Sequence, residues 1–354
     1  MADPPLRRRA GRGASHLADR PGPVSDGSVV DIRAWPRPVV LLCETLLVAG
    51  IYYAAGRLGL SQQLTADGAV VTPIWPPTGL AVACLLLFGP RCVPGIALGA
   101  LLVIVSLGRP GLSAVGIVAG NTAAPVCSYL MLRAVGFRVS LSRLRDGLSL
   151  VFLGALTAML ISSAVGVGML VLSDKLPSSD LWLVWLAWWV GDAMGVVLVT
   201  PMLLLLHRAR LPPPSARWTE AVGLAVVVCV LVPLIMYSTV SLLFLVYPLL
   251  ILSVLRFQLA GAVPCALFAS VMATVVAREE VGAFGTLSDI ETLMRLQAFN
   301  GTLGLTALLL SAVISEQLNT RRSVERACKE LVEALQHLNA GGSQNPGGPG
   351  GDVR

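Results

Sequence analysis

Charge is scarce in this sequence. Only 13% of its 354 residues are charged, roughly half the share a soluble globular domain carries. A water-facing surface wrapped around an ordinary core is therefore excluded. The vocabulary of catalysis is missing as well: no Gly-x-x-x-x-Gly-Lys phosphate loop, no His-Glu-x-x-His pair and no nucleophile elbow occurs. The three histidines, His16, His207 and His337, stand far apart without chemical neighbours, and no kinase domain follows His337. The seven cysteines form no Cys-x-x-Cys pair, and most lie in apolar runs where a free thiol behaves as a small hydrophobe. No catalytic residue, metal ligand or cofactor is assigned on these grounds, and the chain is expected not to be an enzyme. Arg7-Arg8-Arg9 lies too far from the first apolar run, near Val39, to head an export signal.

What the sequence has is hydrophobicity, at 55% of residues, in runs of roughly 17–25 residues that match the hydrocarbon core of a bilayer. Ten spans are expected, over about 38–57, 74–89, 92–108, 112–133, 147–172, 181–206, 219–237, 240–256, 259–277 and 293–315. The second and third are short, and fusing or dropping that pair around Gly89-Pro90-Arg91 leaves eight or nine. The fold class is thus all-α, a polytopic transmembrane helix bundle. Residues 1–36, rich in Pro, Gly and Arg, are expected to be a disordered cytoplasmic arm, and 37–316 the membrane domain. Residues 317–340 read as a cytoplasmic helix whose Val324, Cys328, Leu331, Leu335 and Leu338 make a short heptad seam. Residues 341–354 read as a Gly/Pro-rich tail.

The net charge of +6 does not point to nucleic acid, because the cations sit between apolar runs and form no patch. Of the 26 Lys and Arg residues, only Arg57, Arg109, Lys175, Arg278 and Arg295 fall outside when the N-terminus is placed in the cytoplasm. The outer loops carry Asp67, Asp174, Asp180, Glu279, Glu280, Asp289 and Glu291 instead. By the positive-inside rule both termini are expected in the cytoplasm. The expected partners are membrane lipid, a second copy of the chain, and a separate cytoplasmic signalling protein.

Asp192 falls near mid-depth of the sixth span, where a carboxylate costs about 2.5–3.5 kcal/mol on insertion scales. Asn121 lies at similar depth in the fourth span. Two readings stay open: a polar cavity for a small ligand or ion, and a buried hydrogen-bond network joining helices. Gly191 and Gly195, like Gly95/Gly99 and Gly116/Gly120, form Gly-x-x-x-Gly pairs that place a helix face in close contact and turn Asp192 inward. Trp182 and Trp185 suit an interfacial belt, whereas Trp188 and Trp189 lie deeper. The candidate ligand-binding residues are Trp75, Asn121, Trp188, Asp192 and Arg256. A faint internal echo sets Trp75-Pro76 and Asn121 against Tyr247-Pro248 and Asn300, six spans later.

Several short stretches recur in a characteristic order: Ile74-Trp75-Pro76-Pro77-Thr78-Gly79-Leu80-Ala81, Gly89-Pro90-Arg91 to Pro94-Gly95-Ile96-Ala97-Leu98-Gly99-Ala100, and Gly120-Asn121-Thr122. They continue with Trp188-Trp189-Val190-Gly191-Asp192-Ala193-Met194-Gly195 to Thr200-Pro201, Tyr247-Pro248 to Arg256-Phe257, and Ala312-Val313-Ile314-Ser315-Glu316. In these the chain, over about residues 40–316, resembles the first type of the membrane-associated sensor domain family. The resemblance implies a sensory module of the bacterial inner membrane, passing a signal to a diguanylate cyclase, a phosphodiesterase or a histidine kinase. Two-component or cyclic-di-GMP signalling is the implied setting. No output domain follows Glu316 in this sequence, so output is expected through the seam, a dimer or a separate partner. Ala123-Ala124 also stands where relatives are often acidic. The function expected is signal input by ligand binding or by sensing the membrane state. The alternative is a small-molecule or ion transporter that uses Asp192.

Overall fold

The computed structural model describes residues 37–66, 69–108, 111–209, 216–240 and 242–342. The arm over 1–36 and the tail beyond 342, both expected to lack structure, lie outside the described residues. The chain divides into two units, Met1–Val40 and Leu41–Arg354. The first contributes only the opening turn of a helix among the described residues, and the second holds the bundle.

Ten apolar helices are described: α1 (Arg37–Ser61), α2 (Pro76–Phe88), α3 (Val93–Leu107), α4 (Leu112–Ala134) and α5 (Leu144–Leu172). They continue with α6 (Leu181–Arg208), α7 (Ala216–Met236), α8 (Leu243–Phe257), α9 (Leu259–Arg278) and α10 (Asp289–Gly342). Each falls on one of the ten expected spans. Eight are long and apolar enough to cross a membrane, and α2 and α8 are shorter. A two-stranded hairpin, β1 (Leu64–Ala66) and β2 (Ala69–Val71), joins α1 to α2 with Leu64 opposite Val71. Among the described residues it is the one departure from the all-helical reading, and it caps one end of the bundle.

The two short helices have a local cause at both ends. Pro76 and Pro77 occupy the first turn of α2, where a missing N–H leaves nothing unpaired. The helix stops at Gly89, whose φ of 80° is open to a residue without a Cβ. Helix α8 carries Pro248 in its first turns and stops at Gln258, also at positive φ (52°), after which α9 starts at once. The aromatic–proline opening and the left-handed corner therefore occur in helices six apart, the spacing of the sequence echo.

Lipid tails are as apolar as leucine, so burial alone does not order such a bundle; close packing of small residues does. A Cβ on Gly99 would sit 2.6 Å from Tyr52 of α1, and one on Gly120 would sit 3.1 Å from Val165 of α5. The Gly191/Gly195 pair meets something else. Gly191 meets the carbonyl of Thr72 in the extended segment ahead of α2, and Gly195 meets the opening turn of α2, at the Trp75 carbonyl and the Gly79 nitrogen. Helix α6 lies at the centre: 61% of its span is buried, against 22% for α1 and 17% for α7, which occupy the periphery.

Helices α5 and α6 each contain a widened, π-helical turn, over Leu150–Thr157 and Gly195–Val199. In α6 the cause is legible. Pro201 has no N–H to return to Val197, so the ladder loosens just before it. In α5 the Ala158 N–H reaches the Leu153 carbonyl, and the Trp189 indole donates to Leu156 O at 2.7 Å.

Substituting Gly195→Ala is expected to lower the melting temperature of the purified protein in detergent. The overlap with the Trp75 carbonyl should cost about 1–3 kcal/mol, more than the roughly 1 kcal/mol of helix propensity gained. Gly168→Ala, which meets nothing within 4 Å, should leave the melting temperature unchanged or raise it.

Candidate functional site

The extended residues between β2 and α2 lie directly on α6. The Trp75 N–H donates to the Gly191 carbonyl at 2.9 Å, a carbonyl that also accepts from the Gly195 N–H within its own helix. Only glycine allows this approach, since a Cβ at 191 would stand 2.5 Å from Thr72 O. Farther along, Thr200 Oγ1 donates to the Gly79 carbonyl at 2.9 Å. Between these two bonds the Thr78 hydroxyl donates to Asp192 Oδ1 at 2.6 Å, both side chains being buried. A charge-assisted hydrogen bond of this length belongs to the strong class.

The second carboxylate oxygen is unsatisfied. Asp192 is 1% exposed, and its Oδ2 closes no hydrogen bond among the described residues, although Ser162 and Trp188 face the carboxyl. A buried polar atom without a partner carries a desolvation cost of about 1–3 kcal/mol, more for a charged group.

Asp192 is in the wall of a cavity of about 560 Å³, within the usual range for small-molecule sites. Its walls come from α1, α3, α4, α6 and the end of α5, with the hairpin and the segment after it. Tyr52, Trp75, Trp188, Asn121 and Asp192 line its deep part, and Gln63, Gly108, Gly111 and Lys175 its rim. All of these residues belong to the hairpin half of the bundle. Beyond Asp192 the way is closed by the backbone contact between α2 and α6. At the rim Lys175 Nζ donates to Ser113 Oγ at 3.1 Å, tying the end of α5 to the start of α4.

Four of the five candidate residues, Trp75, Asn121, Trp188 and Asp192, are thus brought together. Asn121 serves two ends, because its Oδ1 accepts from Ser162 Oγ of α5 at 2.8 Å while its side chain faces the cavity. Arg256 is not part of the site. It closes α8 at the opposite end of the bundle, half-exposed, with Glu220 at 3.6 Å. A residue at a helix terminus cannot reach mid-depth of a neighbouring helix, and its positive charge is held at the surface. Trp189 is also absent from the cavity wall. It turns about 100° from Trp188 around the helix and stacks on Trp185, with ring centres 5.9 Å apart. Trp188, one turn before Asp192, shares its face.

The sequence reading missed Tyr52, Thr78, Ser113 and Lys175. Thr78 lay in plain view inside Trp75-Pro76-Pro77-Thr78-Gly79, directly after the prolines. Lys175 was one of the few cations expected on the acidic side. Tyr52 carried no signal beyond being a tyrosine inside an apolar run.

A family model for MASE1 domains matches residues 45–318. No curated protein and no solved structure matches the chain. With most of its length covered, the chain belongs to the MASE1 family of membrane-associated sensor domains.

A double-mutant cycle with Thr78→Val and Asp192→Leu should return a coupling of about 0.6–1.7 kcal/mol, the range of interhelical hydrogen bonds in membranes. Unfolding in a titration with sodium dodecyl sulfate measures it. Additive losses would mean that the pair contributes nothing to holding α2 on α6.

Proposed function

We propose that this membrane sensory domain takes its signal from a small molecule bound in the cavity above Asp192, and passes it on through α10. The observation that carries this reading is the placement of α6 between the two. Asp192 faces the cavity. The next residues on the other side, Met194, Val197 and Leu198, lie on Gly301 and Gly304 of α10. A Cβ at position 304 would stand 2.7 Å from Val197 and 3.2 Å from Leu198. Any movement of the π-helical turn over Gly195–Val199 therefore presses directly on α10.

Helix α10 is suited to carry a displacement away. It runs unbroken for 54 residues, about 80 Å at 1.5 Å per residue. At the far end of the bundle it is held by Glu316, which accepts from the Leu144 N–H at 3.0 Å, and by Ser315, which donates to Gln258 at 3.1 Å. Beyond that belt Val324, Leu331 and Leu335 are exposed, and they serve as the contact for a second copy or a cytoplasmic partner. The charge distribution supports a cell-membrane orientation with both ends in the cytoplasm, so that Lys175 and the cavity mouth face outward. Ligand binding then shifts a pre-existing equilibrium between two settings of α6 against α10, by no more than its differential affinity for them.

A transporter would also use a buried carboxylate and interrupted helices. The cavity, however, has lining residues from one half of the bundle only, which favours sensing.

The test is disulfide crosslinking in native membranes. Single cysteines are placed along 324–335 in a background without the other cysteines. Asp192→Leu and Gly304→Val are each expected to change the pattern of crosslinks between copies, or to a partner, while the protein still inserts. An unchanged pattern in both would sink the proposal. Proton or sodium flux in proteoliposomes, abolished by Asp192→Asn, would favour the transporter instead.

A further inference from the structure

The chemistry of the cavity narrows what it accepts. A carboxylate at mid-depth is tolerated when a cation or a set of donors meets it. Here one oxygen takes the Thr78 hydroxyl and the other takes nothing from the described residues. Among the described residues that line the cavity, the one cation is Lys175, and it is occupied at the rim with Ser113. Lys175 also lies far from the floor. Val184 and Asp192 line the same wall eight residues apart on α6, so the cavity is at least about 12 Å deep along the helix.

Three aromatic residues, Tyr52, Trp75 and Trp188, line the cavity with the carboxylate. Trp188 precedes it by one turn, Trp75 is bonded through its backbone to the adjacent Gly191, and Tyr52 of α1 stands in the same wall. The faces of such rings attract cations, by about 2 kcal/mol or more where water is excluded. Between floor and rim the walls are aliphatic, with Val103, Ile104 and Ile117 among them. The three layers in order are a carboxylate with aromatic rings, an apolar sleeve, and an ammonium.

We propose that the cavity receives a monovalent organic cation: its amine or quaternary ammonium against Asp192, an apolar body in the sleeve, and a neutral or anionic far end beside Lys175. This rests on the reading of the cavity as the input site. It assigns distinct roles to the two charged residues. Asp192 selects a positive charge at depth, and Lys175 rejects a second positive charge at the mouth.

The full-length protein in lipid nanodiscs tests this with three probes: phenylpropylamine, its uncharged analogue phenylpropanol, and hexamethylenediamine as a dication. Binding is followed by tryptophan fluorescence and calorimetry. The amine should bind at least about tenfold tighter than the alcohol, in keeping with a desolvated cation–aromatic contact. Asp192→Asn should remove that preference. The diamine should bind more weakly than the monoamine, and Lys175→Gln should bring the two together. Lys175 is exposed at the rim, so this variant is informative even if Asp192→Asn does not fold. Equal affinity for amine and alcohol, or a cation preference that survives Asp192→Asn, would overturn the proposal. So would a diamine that binds as well as the monoamine to the unaltered protein. The outcome is separable from that of the signalling reading. If crosslinks along α10 respond to Asp192 while no probe binds, signalling stands and the cation class falls. If the amine binds with the expected selectivity and α10 does not respond, the receptor stands without that route of transmission.

Discussion

Everything in the bundle that bears on function hangs from a backbone-to-backbone contact: the Trp75 N–H on the Gly191 carbonyl, with the Thr78 hydroxyl on Asp192 one step away. Main chains can lie this close only where side chains are absent, and positions 79, 191 and 195 are all glycine. The two prolines after Trp75 remove N–H groups that would otherwise open the first turn of α2 unpaired. Trp75 thereby keeps the one donor that matters, aimed at α6. In a bilayer, where no water competes, such a bond is made within the protein or not at all. The contact fixes the floor of the cavity and the orientation of its carboxylate together.

The same stretch of α6 explains why floor and output helix are mechanically linked. A regular helix between Asp192 and Thr200 would present a rigid ridge to both neighbours. Pro201 withholds a donor, the turn over Gly195–Val199 widens, and Val196, Val197 and Leu198 are fully buried within it. Widened turns often occur at functional sites because their register can change without breaking the helix. Gly301 and Gly304 let α10 lie against this one adjustable turn. A larger residue there would hold α10 off and leave a gap that lipid or solvent could not fill.

The spans were legible because hydrophobic length in a membrane is a one-dimensional property, and all ten expected spans fall on helices. Asp192 was legible for a related reason: a carboxylate inside an apolar run is costly wherever it points. Direction was harder. Arg256 entered the candidate site on charge and motif order alone, and its position at the end of α8 puts it with Glu220 at the far surface. Trp188 and Trp189 could not be separated until a helix with known neighbours placed one of them on the face of Asp192. The glycine pair at 191 and 195 was read as a helix–helix face, the usual meaning of that spacing. For Gly195 that holds, since it packs on Gly79 in the first turns of α2; Gly191 instead meets Thr72 in an extended segment, which carries no periodicity to reveal it. Thr78 was hidden similarly, because a hydroxyl finds its acceptor across 114 residues of sequence.

The uneven hydrogen bonding of Asp192 is itself informative. Had the chain evolved the carboxylate only as an interhelical clasp, both oxygens would be expected to find donors, as the Asn121 carboxamide finds Ser162. The Ser162 hydroxyl goes to Asn121, Oδ2 closes no hydrogen bond among the described residues, and Asp192 lines a cavity large enough for a molecule of moderate size. Other buried polar groups among the described residues are also unpaired, Asn300 and Gln297 among them, but of these only Asp192 lines the cavity. That the cation nearest in the cavity wall is held at the rim by Ser113 separates the two charges, and a separated pair is a measure of what fits between them.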